Sequence, residues 1–148
     1  MRILIVNGPN LNLLGARRPE IYGTTTLGEL DDQCRQWGAA LGCEVTGFQS
    51  NHEGEIIDRL HDAIGRCDGV VINPGALAHY SYAIHDAIEA TALPAVEVHI
   101  SDIEAREPWR ATSVVAAACV TTIAGHGIAG YRLALEALVD AIRRGTKP

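Results

Sequence analysis

Short runs of β-branched and aliphatic residues recur along the chain at intervals that a helix would fill, and this alternation constrains the fold more than any other feature. The strand candidates are Ile3–Val6, Glu44–Phe48, Gly69–Ile72, Ala95–Ile100 and Cys119–Ala124. Ile3–Val6 and Gly69–Ile72 are continuous apolar runs, as strands covered on both faces are. Thr26-Leu27-Gly28-Glu29 and Ser50-Asn51-His52-Glu53 each carry the spacing of a capping box, in which a hydroxyl and a carboxylate three residues apart satisfy free N–H groups at a helix start. They predict amphipathic helices over Leu27–Leu41 and through the periodic Ile56, Ile57, Leu60 and Ile64. Tyr82–Ala90 and Ile128–Arg144 complete the set, the second closing on basic residues and Gly145 as a helix C-terminus does.

Strand and helix in alternation imply a parallel sheet with right-handed crossovers. The expected fold is α/β: a flavodoxin-like, doubly wound, five-stranded parallel sheet in the order 2-1-3-4-5, with helices on both faces and residues 1–148 forming one domain. Ligands in such sheets sit beyond the carboxyl ends of the strands, at the switch point between the first and third. Three polar, turn-rich stretches converge on that edge: Asn7-Gly8-Pro9-Asn10, Asn73-Pro74-Gly75 and His99-Ile100-Ser101-Asp102. A formal net charge of -6 argues against a nucleic-acid or anionic-membrane surface, which would need clustered Lys and Arg. A small-molecule substrate is expected instead. The longest small-apolar tract, Val114–Gly125, is shorter than the roughly 20 residues a bilayer span needs. Four scattered cysteines without a C-x-x-C pair, and an apolar run at Ile3–Val6 too short for a secretory leader, read as reduced core thiols in a cytoplasmic protein.

Within the fourth strand candidate, Glu97 and His99 place a carboxylate and an imidazole on one face of a segment that should be apolar. They are either a satisfied buried pair or an acid–base group whose imidazole is oriented by the carboxylate. After the first strand, Gly8 to Gly23 forms a long connection of the kind that becomes a lid or binding loop. It lacks the spacing and the lysine of a phosphate-binding Walker loop. Its Arg17, Arg18 and Tyr22 could fold over the crevice, where a guanidinium would favour the phenolate of Tyr22. His79 follows the Asn73 turn, and Arg106 and Arg110 follow the fourth strand, where guanidinium groups could close on a carboxylate. No H-x-x-x-H or H-E-x-x-H spacing is present, and no metal is expected.

Together these segments resemble the type II 3-dehydroquinate dehydratases. The resemblance rests on Asn7-Gly8-Pro9-Asn10-Leu11 with Arg17 and Pro19–Gly23, and on Gln49-Ser50-Asn51 with Glu53-Gly54. It continues through Ile72-Asn73-Pro74-Gly75-Ala76 with His79 and Ser81, Glu97-Val98-His99-Ile100-Ser101 with Ala105-Arg106-Glu107, and Gly130-Tyr131 with Leu133-Ala134-Leu135. It implies dehydration of 3-dehydroquinate to 3-dehydroshikimate through an enolate, without a cofactor. In that scheme Tyr22 takes the C2 proton, Arg17 supports the phenolate, Asn10 holds a water at the enolate oxygen, and His99, backed by Glu97, protonates the leaving hydroxyl. Asn73, His79, the backbone at Ile100 and Ser101, and Arg110 would bind hydroxyls and carboxylate. Asp86 would reach in from a neighbouring subunit of a homo-oligomer built from trimers, expected to be a dodecamer. An imine route would need an internal lysine, and Lys147 in the tail is the sole lysine. Two other classes are open: a nucleotide- or flavin-binding module of the same fold, which would take up a chromophore, and a hydrolase pairing Ser101 with His99. The second is disfavoured because residues two apart on a strand point in parallel.

Overall fold

A computed structural model describes residues 1–145, so Lys147 lies outside the described residues. The five strands are β1 (Arg2–Asn7), β2 (Glu44–Gln49), β3 (Gly69–Asn73), β4 (Ala95–His99) and β5 (Thr121–Ala124). All neighbouring pairs are parallel, in the order β2-β1-β3-β4-β5. The helices are α1 (Pro19–Tyr22), α2 (Leu27–Ala40), α3 (Glu53–Asp62), α4 (Tyr82–Thr91) and α5 (Ala129–Arg144).

The two-residue period of β1 explains why both sheet faces need a helical layer. Ile3 and Ile5 join one core with Leu30 and Cys34 of α2 and Leu135 and Leu138 of α5. Leu4 and Val6 join the other with Ile56 and Leu60 of α3 and Ile84 and Ile88 of α4. Each such fully buried aliphatic side chain contributes about 1.5–3 kcal/mol before the entropy of ordering it.

Several boundaries differ from the sequence expectation. The capping box at Thr26 forms in full, with Glu29 N–H donating to Thr26 Oγ1 and Thr26 N–H to Glu29 Oε2. The one expected at Ser50 does not. The hydroxyl of Ser50 accepts from His52 N–H and is paired with Glu55, so His52 precedes α3 without a side-chain cap. The carboxylate of Glu53 is drawn off instead by Ser81, whose Oγ donates to it at 2.7 Å while capping α4 at Ile84 N–H. Ile64 falls beyond α3 and is 51% exposed. β4 stops at His99 rather than Ile100, β5 starts at Thr121 rather than Cys119, and α5 starts one residue after Ile128. The connection after β1 is not irregular throughout: it holds a 3-10 turn at Leu11–Leu13 and the single-turn α1, which Pro19 opens.

The turns after β1 and β3 touch. A Cβ on Gly8 would lie 2.5 Å from the carbonyl oxygen of Pro74, so only glycine permits this approach. It draws Asn10 and Asn73 to the rim of one depression.

Candidate active site

That depression opens to solvent and is lined by residues from the ends of β3 and β4 and from the connections that follow β1, β3 and β4. β1 delivers Asn10 through a tight turn in which its backbone takes φ 70°, a left-handed conformation that asparagine tolerates better than most residues. The turn is pinned by Asn10 N–H donating to Asn51 Oδ1 at 2.9 Å. β3 delivers Asn73 as its last residue, and His79 from the following 3-10 turn. β4 delivers His99 as its last residue, with Ile100 and Ser101 beyond it. The connection after β1 contributes Arg17 and Tyr22, and the connection after β4 contributes Arg106 and Arg110.

Glu97 and His99 meet as their shared strand face predicts. His99 Nε2 lies 2.5 Å from Glu97 Oε1, with the carboxylate fully buried and the imidazole 5% exposed. A carboxylate only accepts, so Nε2–H is the donor, and Nδ1 has no hydrogen-bond partner among the described residues. Glu97 has a second partner that the sequence did not reveal. The Oγ of Ser113 lies 2.8 and 2.9 Å from the two carboxylate oxygens and accepts from Ala116 N–H. His79 is oriented in a similar manner. Its Nδ1–H donates to the carbonyl of Thr112 at 2.8 Å, and its ring stacks at 6.2 Å from that of His99.

Two guanidinium groups surround the phenol of Tyr22. Arg17 lies 5.0 Å and Arg106 5.4 Å from the ring centroid, and Arg106 Nη1 donates to the phenol oxygen at 2.8 Å. The same Nη1 reaches Ser101 Oγ at 3.2 Å, while Nη2 of Arg106 is buried without a partner among the described residues. Arg106, grouped by sequence with Arg110 as a clamp for a carboxylate, is thus in contact with Tyr22 itself. Arg110 is held by Glu107, 2.6 Å from Nε, over the indole of Trp109. The backbone N–H at Glu107 and then Arg110 hold the Glu107 carboxyl below the usual range. Arg18 takes no part in the cleft: it is exposed and pairs with Glu20.

Two expectations find their places elsewhere. Ser101 is engaged by Arg106 and makes no bond to His99, which removes the hydrolase arrangement. Asp86 is exposed on α4 and does not line the cleft of its own chain. It neighbours His85 and Glu89, a group with metal-ligating atoms within 4.8 Å of one another, in which His85 Nδ1 is held by the carbonyl of Val114 and Nε2 faces Glu89 at 3.3 Å.

Residues 1–139 match the family model for class II dehydroquinases. The chain belongs to this family. A 3-dehydroquinate dehydratase from Bacillus cereus is 51% identical over 142 residues, covering 96% of this chain and 97% of that one. Among solved structures, the type II dehydroquinase from Propionibacterium acnes superposes with a TM-score of 0.90 at 46% identity, covering 94% of this chain and 96% of that chain. The enzyme from Butyrivibrio crossotus superposes with a TM-score of 0.91 at 44% identity, covering 93% and 97%. The resemblance read from the motifs and the strand order expected from the alternation are therefore both borne out. Among the described residues, no helix is long and apolar enough to cross a membrane.

Proposed function

We propose that this class II dehydroquinase removes water from 3-dehydroquinate to form 3-dehydroshikimate, with Tyr22 as base and His99 as acid. The observation that carries the assignment of roles is the pairing of Tyr22 with Arg106 in the same cleft as the Glu97–His99 pair. The phenolate of Tyr22 takes a proton from C2, next to the C3 ketone. The electron pair moves into an enolate, with Arg17 and Arg106 balancing the charge left behind, and Asn10 holds a water at the enolate oxygen. When the enolate collapses, the C1–O bond breaks, His99 Nδ1 supplies the proton that makes the departing hydroxyl a water, and a C1–C2 double bond conjugated to the ketone remains. Protonated Tyr22 and deprotonated His99 then exchange protons with solvent. The chemistry balances as loss of one water and draws on no cofactor or metal.

In this reading Asn73, His79, the backbone at Ile100 and Ser101, and Arg110 bind the hydroxyls and carboxylate, and Arg110 exchanges its bond to Glu107 for the substrate carboxylate. The segment with Arg17 and Tyr22 acts as a lid. Asp86, turned away from its own cleft, serves the site of a neighbouring subunit in a trimer-based homo-oligomer, a dodecamer, working in the cytoplasm. Tyr22→Phe tests the central role. The ring and its packing stay and the ionisable oxygen goes, so turnover should fall by at least about a hundredfold, the low end for loss of a general base. Near-normal turnover in the folded variant would exclude Tyr22 as the base.

A further inference from the structure

Beneath the floor of the cleft, three buried polar side chains from distant parts of the chain form one directed hydrogen-bond line. Asn7 and Asn73 end β1 and β3 and are register partners across the switch point of the sheet. Tyr131 stands near the start of α5 and is fully buried. Its hydroxyl lies 2.6 Å from Asn7 Oδ1 and 2.9 Å from Asn73 Nδ2. At the other end, Gly75 N–H donates to Asn73 Oδ1 at 3.2 Å.

The direction of this line is determined by chemistry. A backbone N–H only donates, so Asn73 turns its oxygen to Gly75 and its amide nitrogen to Tyr131. The phenol oxygen, accepting there, gives its single proton to Asn7. Burial pushes the Tyr131 hydroxyl far above its ordinary range, so it remains a neutral phenol that keeps this proton. The ring packs among apolar residues of the core and would do so equally as phenylalanine. The hydroxyl has no other hydrogen-bond partner among the described residues.

We propose that Tyr131 is a positioning residue for substrate binding, holding the Asn73 carboxamide in one orientation so that its second N–H and second lone pair are presented to the cleft. A terminal amide torsion is broad and roughly two-fold. Pinned at both ends, it loses that freedom before substrate arrives, and the cost of ordering it is not met again on binding. The inference rests on the reading that Asn73 contacts substrate.

Tyr131→Phe keeps the ring and deletes the hydroxyl. KM for 3-dehydroquinate should rise by about fivefold to tenfold, the equivalent of one ordinary hydrogen bond, with kcat changed by less than about twofold. A purely structural role would lower the melting temperature and leave KM alone. The decisive comparison is a double-mutant cycle with Asn73→Ala: if Tyr131 acts through Asn73, adding Tyr131→Phe to Asn73→Ala raises KM no further. Asn7→Ala is the second variant, needed if Tyr131→Phe does not fold. It frees the phenol proton to compete for Asn73 and should raise KM in the same direction, again with no effect in the Asn73→Ala background. Raised KM in Asn73→Ala beside normal KM in Tyr131→Phe and Asn7→Ala would overturn the positioning role alone. Unaltered KM in Asn73→Ala would remove Asn73 from the binding set, and the proposal with it.

Discussion

Replacing Glu97 by glutamine deletes a charge from the His99 pair while leaving its shape intact. In the wild type, the fully buried carboxylate lies 2.5 Å from His99 Nε2 and shares Ser113 as its second partner. If His99 is the acid, the imidazolium that donates the proton forms an ion pair with this carboxylate. With charge centres about 4 Å apart and an effective dielectric of about 20, their attraction is about 4 kcal/mol. The glutamine retains one neutral hydrogen bond of about 1 kcal/mol, so about 3 kcal/mol of support for the acid form is lost. At 1.36 kcal/mol per decade, turnover should drop by about a hundredfold. Stability should fall as well, because removing the charge of one partner leaves the other buried and uncompensated. Steady-state turnover of 3-dehydroquinate with a parallel thermal melt reads both quantities. A folded Glu97→Gln enzyme within about threefold of wild-type turnover would refute the ion-pair reasoning and return Glu97 to a packing role.

Three further outcomes are expected. If Asp86 serves a neighbouring site, Tyr22→Phe and Asp86→Ala lesions fall in different chains of a composite site, so dissociating and reassembling the two weak variants together should yield activity above the sum of the parents. Additive activity with subunit exchange demonstrated by mass would leave Asp86 an ordinary surface carboxylate. The Cys34 and Cys119 thiols are pushed up to about 12, chiefly by burial and then by the charges of Asp31 and Glu97 respectively. Above the ordinary thiol value of about 8.5 the unfolded chain therefore binds fewer protons than the folded one, and stability should fall as pH climbs from there toward 12. Iodoacetamide near pH 8 should modify both only after denaturation; native-state alkylation at the rate of a free thiol would contradict their burial.

The fold was legible because each strand candidate is flanked by turn residues and each helix by an apolar stripe, and only a parallel sheet covered on both faces accommodates that order. The limits lie in contacts distant along the chain. Ser50 has the spacing of a cap, yet Glu55 takes its hydroxyl and Ser81 takes the Glu53 carboxylate, a competition no local pattern reveals. The single turn of α1 is too short to show helical periodicity. The Glu97–His99 pair could be read from two-residue spacing, but Ser113 comes to it from 16 residues on and belongs to no motif. Asn7 and Tyr131 stand in recognisable motifs, but their 124-residue separation hid what joins them. Arg106 drew notice as a basic residue after β4, and only the folded connection after β1 brings Tyr22 to it.

The central claim is most directly tested by adding 3-dehydroquinate to the purified protein without added metal or cofactor and following ultraviolet absorbance. The product alone carries a carbon–carbon double bond conjugated to its ketone. The account predicts a steady rise in enone absorbance, proportional to protein concentration and lost in Tyr22→Phe. A folded wild-type protein that produces no enone from 3-dehydroquinate, or a Tyr22→Phe variant that produces it at the wild-type rate, would contradict the account.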